Sequence, residues 1–129
     1  MLSRWPSQFR QELDKVYAAI RAGKVLQTGQ NVMVYYPRTD GRVDIECGVE
    51  VGARFEPAGE VRYCETPGGL AMTTTHEGPY DRLGVSHRAV VDWSRQNGRR
   101  VTGIVWEIYG DWDDDTSKLR TEIFHLLGE

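Results

Sequence analysis

The chain has 129 residues, with 16 Lys and Arg against 19 Asp and Glu and a formal net charge of −3. Hydrophobic residues make up 40% and charged ones 27%, ordinary globular usage that excludes disordered and fibrous architectures and suits one domain with its own core. Mild acidity without a Lys/Arg stripe excludes the electrostatic footprint of a duplex-DNA binder, and no run approaches the roughly 20 apolar residues that a bilayer crossing needs. The start, Met1-Leu2-Ser3-Arg4-Trp5-Pro6, leads into no apolar signal core. Cys47 and Cys64 lack metal-ligand spacing and read as reduced thiols. The expectation is one soluble, cytoplasmic domain over residues 1–129, with neither a membrane nor nucleic acid as a direct partner.

Phe9, Leu13, Val16, Tyr17 and Ile20 form one stripe at the helical period, with Pro6 in the first turn and Gly23 as the stop. Asn31 to Tyr36 is a β-branched and aromatic run, closed by the turn Pro37-Arg38-Thr39-Asp40-Gly41. From Arg42 to Val51 the pattern alternates, with Val43, Ile45, Cys47, Val49 and Val51 on one face. Glu60 to Thr66 and Leu70 to Glu77 then read as strands parted by Pro67-Gly68-Gly69. Pro79 opens a second helix predicted to run to about Gln96, with Asn97-Gly98 as its left-handed exit. Its common face holds Tyr80, Leu83, Gly84, His87, Val90, Val91 and Ser94. Gly103 to Tyr109 and Leu119 to Leu127 are the closing strands, joined by the acidic loop Asp111 to Asp115. The order α-β-β followed by β(β)-α-β-β describes an α+β fold of two related halves.

The chemistry concentrates in Ile104-Val105-Trp106-Glu107-Ile108-Tyr109. Strand parity points Ile104, Trp106 and Ile108 one way, and Glu107 and Tyr109 the other. The Ile/Trp/Ile set is expected beneath a covering helix, which leaves Glu107 and Tyr109 together on the uncovered face. A carboxylate among aromatic side chains is costly unless it meets a cation or is partly protonated. Glu107 therefore suits a cationic aromatic ligand, or a general base acting on water. The plainer alternative is an exposed strand carboxylate beside a solvent-facing phenol. Tyr35 or Tyr36, Tyr109 and Trp112 are candidates for ligand stacking, and alternation allows only one of Tyr35 and Tyr36 to face the groove.

Other chemistries find little support. Asp111, Asp113, Asp115 and Glu122 match a calcium-loop spacing, but Thr116 stands where the turn needs Gly. His76, His87 and His125 show no zinc-type spacing with either cysteine, so no metal and no cofactor is expected. No G-x-S-x-G nucleophile motif and no phosphate-binding loop is present. His87 reads as a hydrogen-bonded packing residue, Cys64 as inert, and His76 with Glu77 as solvated turn residues pointing to opposite faces.

Taken together, His76-x-Gly78-Pro79-Tyr80, Leu83, Trp93, Asn97-Gly98, Glu107-x-Tyr109 and Thr121-Glu122-Ile123 resemble the GyrI-like small-molecule-binding domain. That domain also serves as the effector-binding part of some AraC- and MerR-type bacterial regulators. Val43-Asp44-Ile45-Glu46 and Glu65-x-Pro67-Gly68-Gly69-x-Ala71 extend the resemblance, which spans roughly residues 7–127. It implies two pseudo-twofold β-α-β-β halves forming a concave antiparallel sheet, with two helices on the other face and an acidic groove residue at Glu107. Only Met1 to Arg4 precede Trp5-Pro6, so the first half is expected to lack its opening strand. One sheet edge would then be open or completed by a partner chain. The implied function is binding of hydrophobic, aromatic, cationic small molecules, by a homodimer or beside a separate regulator. Two alternatives follow from the family: a hydrolase that opens strained cyclopropane-type rings with Glu107 and Tyr109, and a protein that acts on gyrase.

Overall fold

The computed structural model describes residues 7–128, with side chains from Arg10 onward. Met1 to Arg4, Trp5 and Pro6 lie outside the described residues, as does the Phe9 side chain. Helix α1 spans Ser7–Arg21 and buries Leu13, Val16 and Ala19. Gly23 ends it at φ 75°, with Gly23 N–H donating to Ile20 O and Lys24 N–H to Ala19 O, both at 3.0 Å. Those paired bonds are the Schellman arrangement, which needs a residue free of the Cβ penalty in the left-handed region. Helix α2, Leu83–Gln96, follows a short 3-10 turn at Tyr80–Arg82 and ends the same way. There Gly98 stands at φ 69°, and Arg99 N–H donates to Ser94 O at 2.7 Å.

Strands β1 (Gln27–Pro37), β2 (Val43–Val51), β3 (Ala71–Glu77), β4 (Val101–Tyr109) and β5 (Arg120–Leu127) form one antiparallel sheet in the order β2-β1-β4-β5-β3. β1 and β4 therefore meet at the middle, where the two halves join. β3 flanks β5 at one margin. Among the described residues no strand takes the corresponding place beside β2, whose Val43 and Ile45 are exposed. No described helix is long and apolar enough to cross a membrane.

Two expectations need correcting. Glu60–Thr66 is not a strand: residues 52–70 run irregularly, with an isolated bridge between Ala58 and Val61. Pro57 and Gly59 stand just before that run and Pro67 just after it, and the segment meets the sheet through side chains instead. A cavity of about 260 Å3 separates Tyr63 to Thr66 from Val32, Val34 and Ile108. Arg62 reaches Glu46 at 3.6 Å. The second correction concerns faces. Trp106 points away from the helices and stacks on Phe124, with ring centroids 5.2 Å apart and planes within 3°. Glu107 and Tyr109 face the helices: Glu107 meets His87 of α2, and Tyr109 joins the core with Leu13 of α1 and Met33. The expected parity holds, but the covered side is the other one, because Glu107 finds hydrogen-bond partners there that make burial tolerable.

Gly103 marks the bulge in β4, where the pairing with β5 slips between Val101 and Val105. Its φ is 89°, and a Cβ there would stand 3.1 Å from Pro37 Cγ. Gly103→Ala is expected to lower stability by about 1–2 kcal/mol, read as an earlier urea midpoint. An unchanged midpoint would mean the bulge is not held by backbone conformation.

Candidate functional site

Register builds the site. Met33, Glu107, Ile123 and Thr74 form one row across β1, β4, β5 and β3. Neighbouring rows on the same face carry Tyr35, Val105 and His125 on one side and Asn31, Tyr109 and Thr121 on the other. Directly paired residues share a face, so these side chains all project toward the helices. Glu107 thus sits on a central strand, at the seam between the two halves.

Its two carboxylate oxygens have different partners. Oε1 accepts from the hydroxyl of Tyr35 at 3.0 Å and from that of Tyr109. Oε2 lies 2.7 Å from His87 Nε2, and His87 Nδ1 lies 2.8 Å from His125 Nε2. A carboxylate only accepts, so His87 Nε2 carries a proton, and one further proton is shared between the two imidazoles. Glu107 is 4% exposed and Tyr109 5%.

Burial, the largest single influence, pushes the Glu107 carboxyl up. The hydrogen bonds from His87 and Tyr109, the electrostatic pull of His87 and the hydrogen bond from Tyr35 together outweigh it, and the group titrates below the usual carboxylate range. Burial and then the Glu107 charge push both phenols upward. His125 is pushed down to about 4, by burial first and by His87 second. The site is therefore a buried, stably ionised carboxylate, ringed by two neutral phenols and backed by a neutral imidazole.

An aromatic row leads outward from it. Tyr109 meets Tyr80 edge-on at 5.5 Å between centroids, and Tyr80 meets Trp112 at 6.2 Å. Of the expected ligand residues, the structure brings Tyr35, Glu107 and Tyr109 together and joins Trp112 to them through Tyr80. Tyr36 does not join them: it points to the opposite face, paired with Asp44 and near Glu46 and Cys64. His76 also departs from expectation, being buried at 6% exposure instead of solvated. Its Nδ1 lies 2.7 Å from Ser86 Oγ and its Nε2 3.0 Å from Pro79 O, which clamps β3 to the start of α2.

Sequence reasoning missed His87 and His125 as neighbours of Glu107, although it placed His87 on the buried helix face as a hydrogen-bonding residue. Spacing could not have joined them, since 20 and 38 residues separate the partners. The parity of His125 within β5 was the one available signal.

A family model for the GyrI-like small molecule binding domain matches residues 8–126, and the chain belongs to that family. No curated protein matches it. Among solved structures it is similar to EcmrR, seen by cryo-EM in an EcmrR–DNA complex within EcmrR-RPo, with a TM-score of 0.77 at 20% identity. That match covers 95% of this chain and 49% of the EcmrR chain, so the present chain spans about half of its neighbour's length. At such identity the likeness establishes the fold.

Proposed function

We propose that this small-molecule-binding domain takes flat, hydrophobic, cationic ligands, with Glu107 as the anion that selects them. The observation carrying this reading is a carboxylate that stays ionised although nearly sealed from water. A buried anion attracts a cation far more strongly than one in bulk solvent does, because little water screens it. Tyr109, Tyr80 and Trp112 supply the aromatic surface along which such a ligand stacks.

The same geometry weakens the hydrolytic reading. A base that titrates below the usual range abstracts a proton poorly at neutral pH. The Tyr109 hydroxyl already donates to Glu107 and would have to leave it to assist a substrate. Anchoring needs neither change. The EcmrR likeness supports a sensing role in which ligand occupancy is read by another module, while the −3 charge gives no support for direct contact with nucleic acid.

The test is a fluorescence titration with N-methylacridinium and its uncharged parent acridine at pH 8. Glu107→Gln is expected to weaken the cation by about 2 kcal/mol, roughly 30-fold, and the neutral ring by less than about threefold. Equal losses for both probes would remove the charge argument.

A further inference from the structure

The division of labour between the two oxygens of Glu107 has a consequence for how a ligand reaches it. Tyr35 and Tyr109 hold Oε1 and belong to the central strands β1 and β4, which pair with each other. Oε2 is held by His87, which belongs to α2 on the other side of the layer. The His87 side chain is 24% exposed, whereas that of Glu107 behind it is 5% exposed. The imidazole therefore stands between the buried anion and solvent. It also presents to Oε2 a polarised N–H at contact distance, positive potential at the place where a ligand would set its cationic centre.

We propose that His87 is a displaceable plug that occupies the ligand's cation position on Glu107, so that binding exchanges the imidazole for the ligand's cationic centre at Oε2. This rests on reading Glu107 as the cation anchor. Throughout the exchange Oε1 keeps both phenols, so the carboxylate is never without donors. Charge-bearing groups facing the plug are Glu107 from β4 and His125 from β5; Tyr35 from β1 and Tyr109 from β4 face the carboxylate itself. The His125 contact on Nδ1 gives the plug a second point of attachment, which keeps the unplugged form in the minority. A ligand that binds only that form has its apparent affinity reduced by the same fraction.

The plug also sharpens selectivity. A neutral ring that pushes His87 aside leaves Oε2 without a donor in a sealed site, an expensive exchange, whereas a cation replaces what it removes. Plug and anchor together reject uncharged aromatics more firmly than an open acidic groove would.

The experiment titrates N-methylacridinium and acridine into the whole chain and its variants, with circular dichroism confirming that each variant is folded. His87→Ala is expected to tighten the cation roughly tenfold, with acridine shifting less than about threefold. His87→Lys, which installs a permanent internal cation, should weaken N-methylacridinium by at least about tenfold. His87→Gln keeps an N–H donor but lacks the second ring nitrogen that meets His125, and should fall between Ala and wild type, so it decides the matter if the alanine variant does not fold. In the wild-type protein the His87 Nε2 resonance should move when N-methylacridinium saturates the site, as its carboxylate partner is lost. If His87→Ala leaves affinity unchanged or lower while Glu107→Gln still discriminates against the cation, the plug is refuted and the anchor stands. If Glu107→Gln affects both probes alike, or neither wild type nor His87→Ala binds N-methylacridinium, the anchor is refuted and the plug with it.

Discussion

Glu107→Leu is expected to lower unfolding free energy by about 3–5 kcal/mol, whereas Glu107→Gln lowers it by about 1 kcal/mol. Leucine fills similar space and spares the desolvation of a charge, which favours it. Against that, it strands the Tyr35 hydroxyl, the Tyr109 hydroxyl and the His87 N–H, three donors aimed at one point. Each stranded buried donor costs about 1–3 kcal/mol, so the loss exceeds the gain. Glutamine keeps an oxygen for the phenols. Its NH2 opposes the His87 N–H until that ring shifts its proton to Nδ1 and donates to His125 instead, a change the paired imidazoles allow. Urea unfolding followed by tryptophan fluorescence separates the two variants. The triple change Glu107→Leu with Tyr35→Phe and Tyr109→Phe should recover most of the loss, because it removes donors together with the acceptor. A single leucine variant as stable as wild type would mean that the cluster contributes nothing to holding the fold.

This behaviour explains why sequence alone led only partway to the site. Strand parity is a local property, so Glu107 and Tyr109 could be placed on one face without any tertiary information, as could the choice between Tyr35 and Tyr36 once the β1 register is known. Gly23 and Asn97-Gly98 were equally legible, since a left-handed helix exit is fixed by a few adjacent residues. Which face the helices cover was not local. Both faces of β4 carry large apolar or aromatic groups, and the usual rule sends the Ile/Trp/Ile set beneath a helix. The irregular segment 52–70 lies over the Val32, Val34 and Ile108 side, and Phe124 covers Trp106. A carboxylate on the helix side becomes acceptable only when His87 arrives from α2. No spacing rule links a helix position to a strand position 20 residues later.

The two halves use similar scaffolding for unlike purposes. Both helices close on the same glycine motif, and both lie over the face that holds Glu107. From α1 comes apolar packing through Leu13, along with Tyr17, whose hydroxyl donates to Asn31 on β1. From α2 comes His87 and, through Ser86, the tie to His76. The side-chain chemistry is therefore asymmetric on a near-symmetric frame: His87 ties Glu107 to α2, while Leu13 of α1 packs into the core.

Stability should form a dome in pH with its crest between about 7 and 8.5, and each flank has its own groups. On the acid side, His125 has a folded value of about 4 against an ordinary 6.5. It is neutral in both states above 6.5, so its contribution is intact there and is lost as pH falls from 6.5 toward 4, where the unfolded chain binds the extra proton. The loss amounts to about 2–3 kcal/mol. Glu107, held below its ordinary range, adds a second loss at still lower pH as its carboxyl is forced to protonate and releases its donors. On the alkaline side the signs reverse. Cys47 is pushed up to about 11, by burial and then by Glu12, and Tyr35 and Tyr109 are raised by burial and by Glu107. Their contribution is complete below the ordinary thiol and phenol values and is lost as pH rises through them, because the unfolded chain ionises first. Urea midpoints measured from pH 4 to 11 should trace both flanks. His125→Gln should flatten the stretch from 6.5 to 4.5 while leaving the alkaline flank in place. A wild-type midpoint that stays level across that acid stretch would show that His125 accepts a proton without penalty, and the neutral imidazole behind His87 would have to be abandoned.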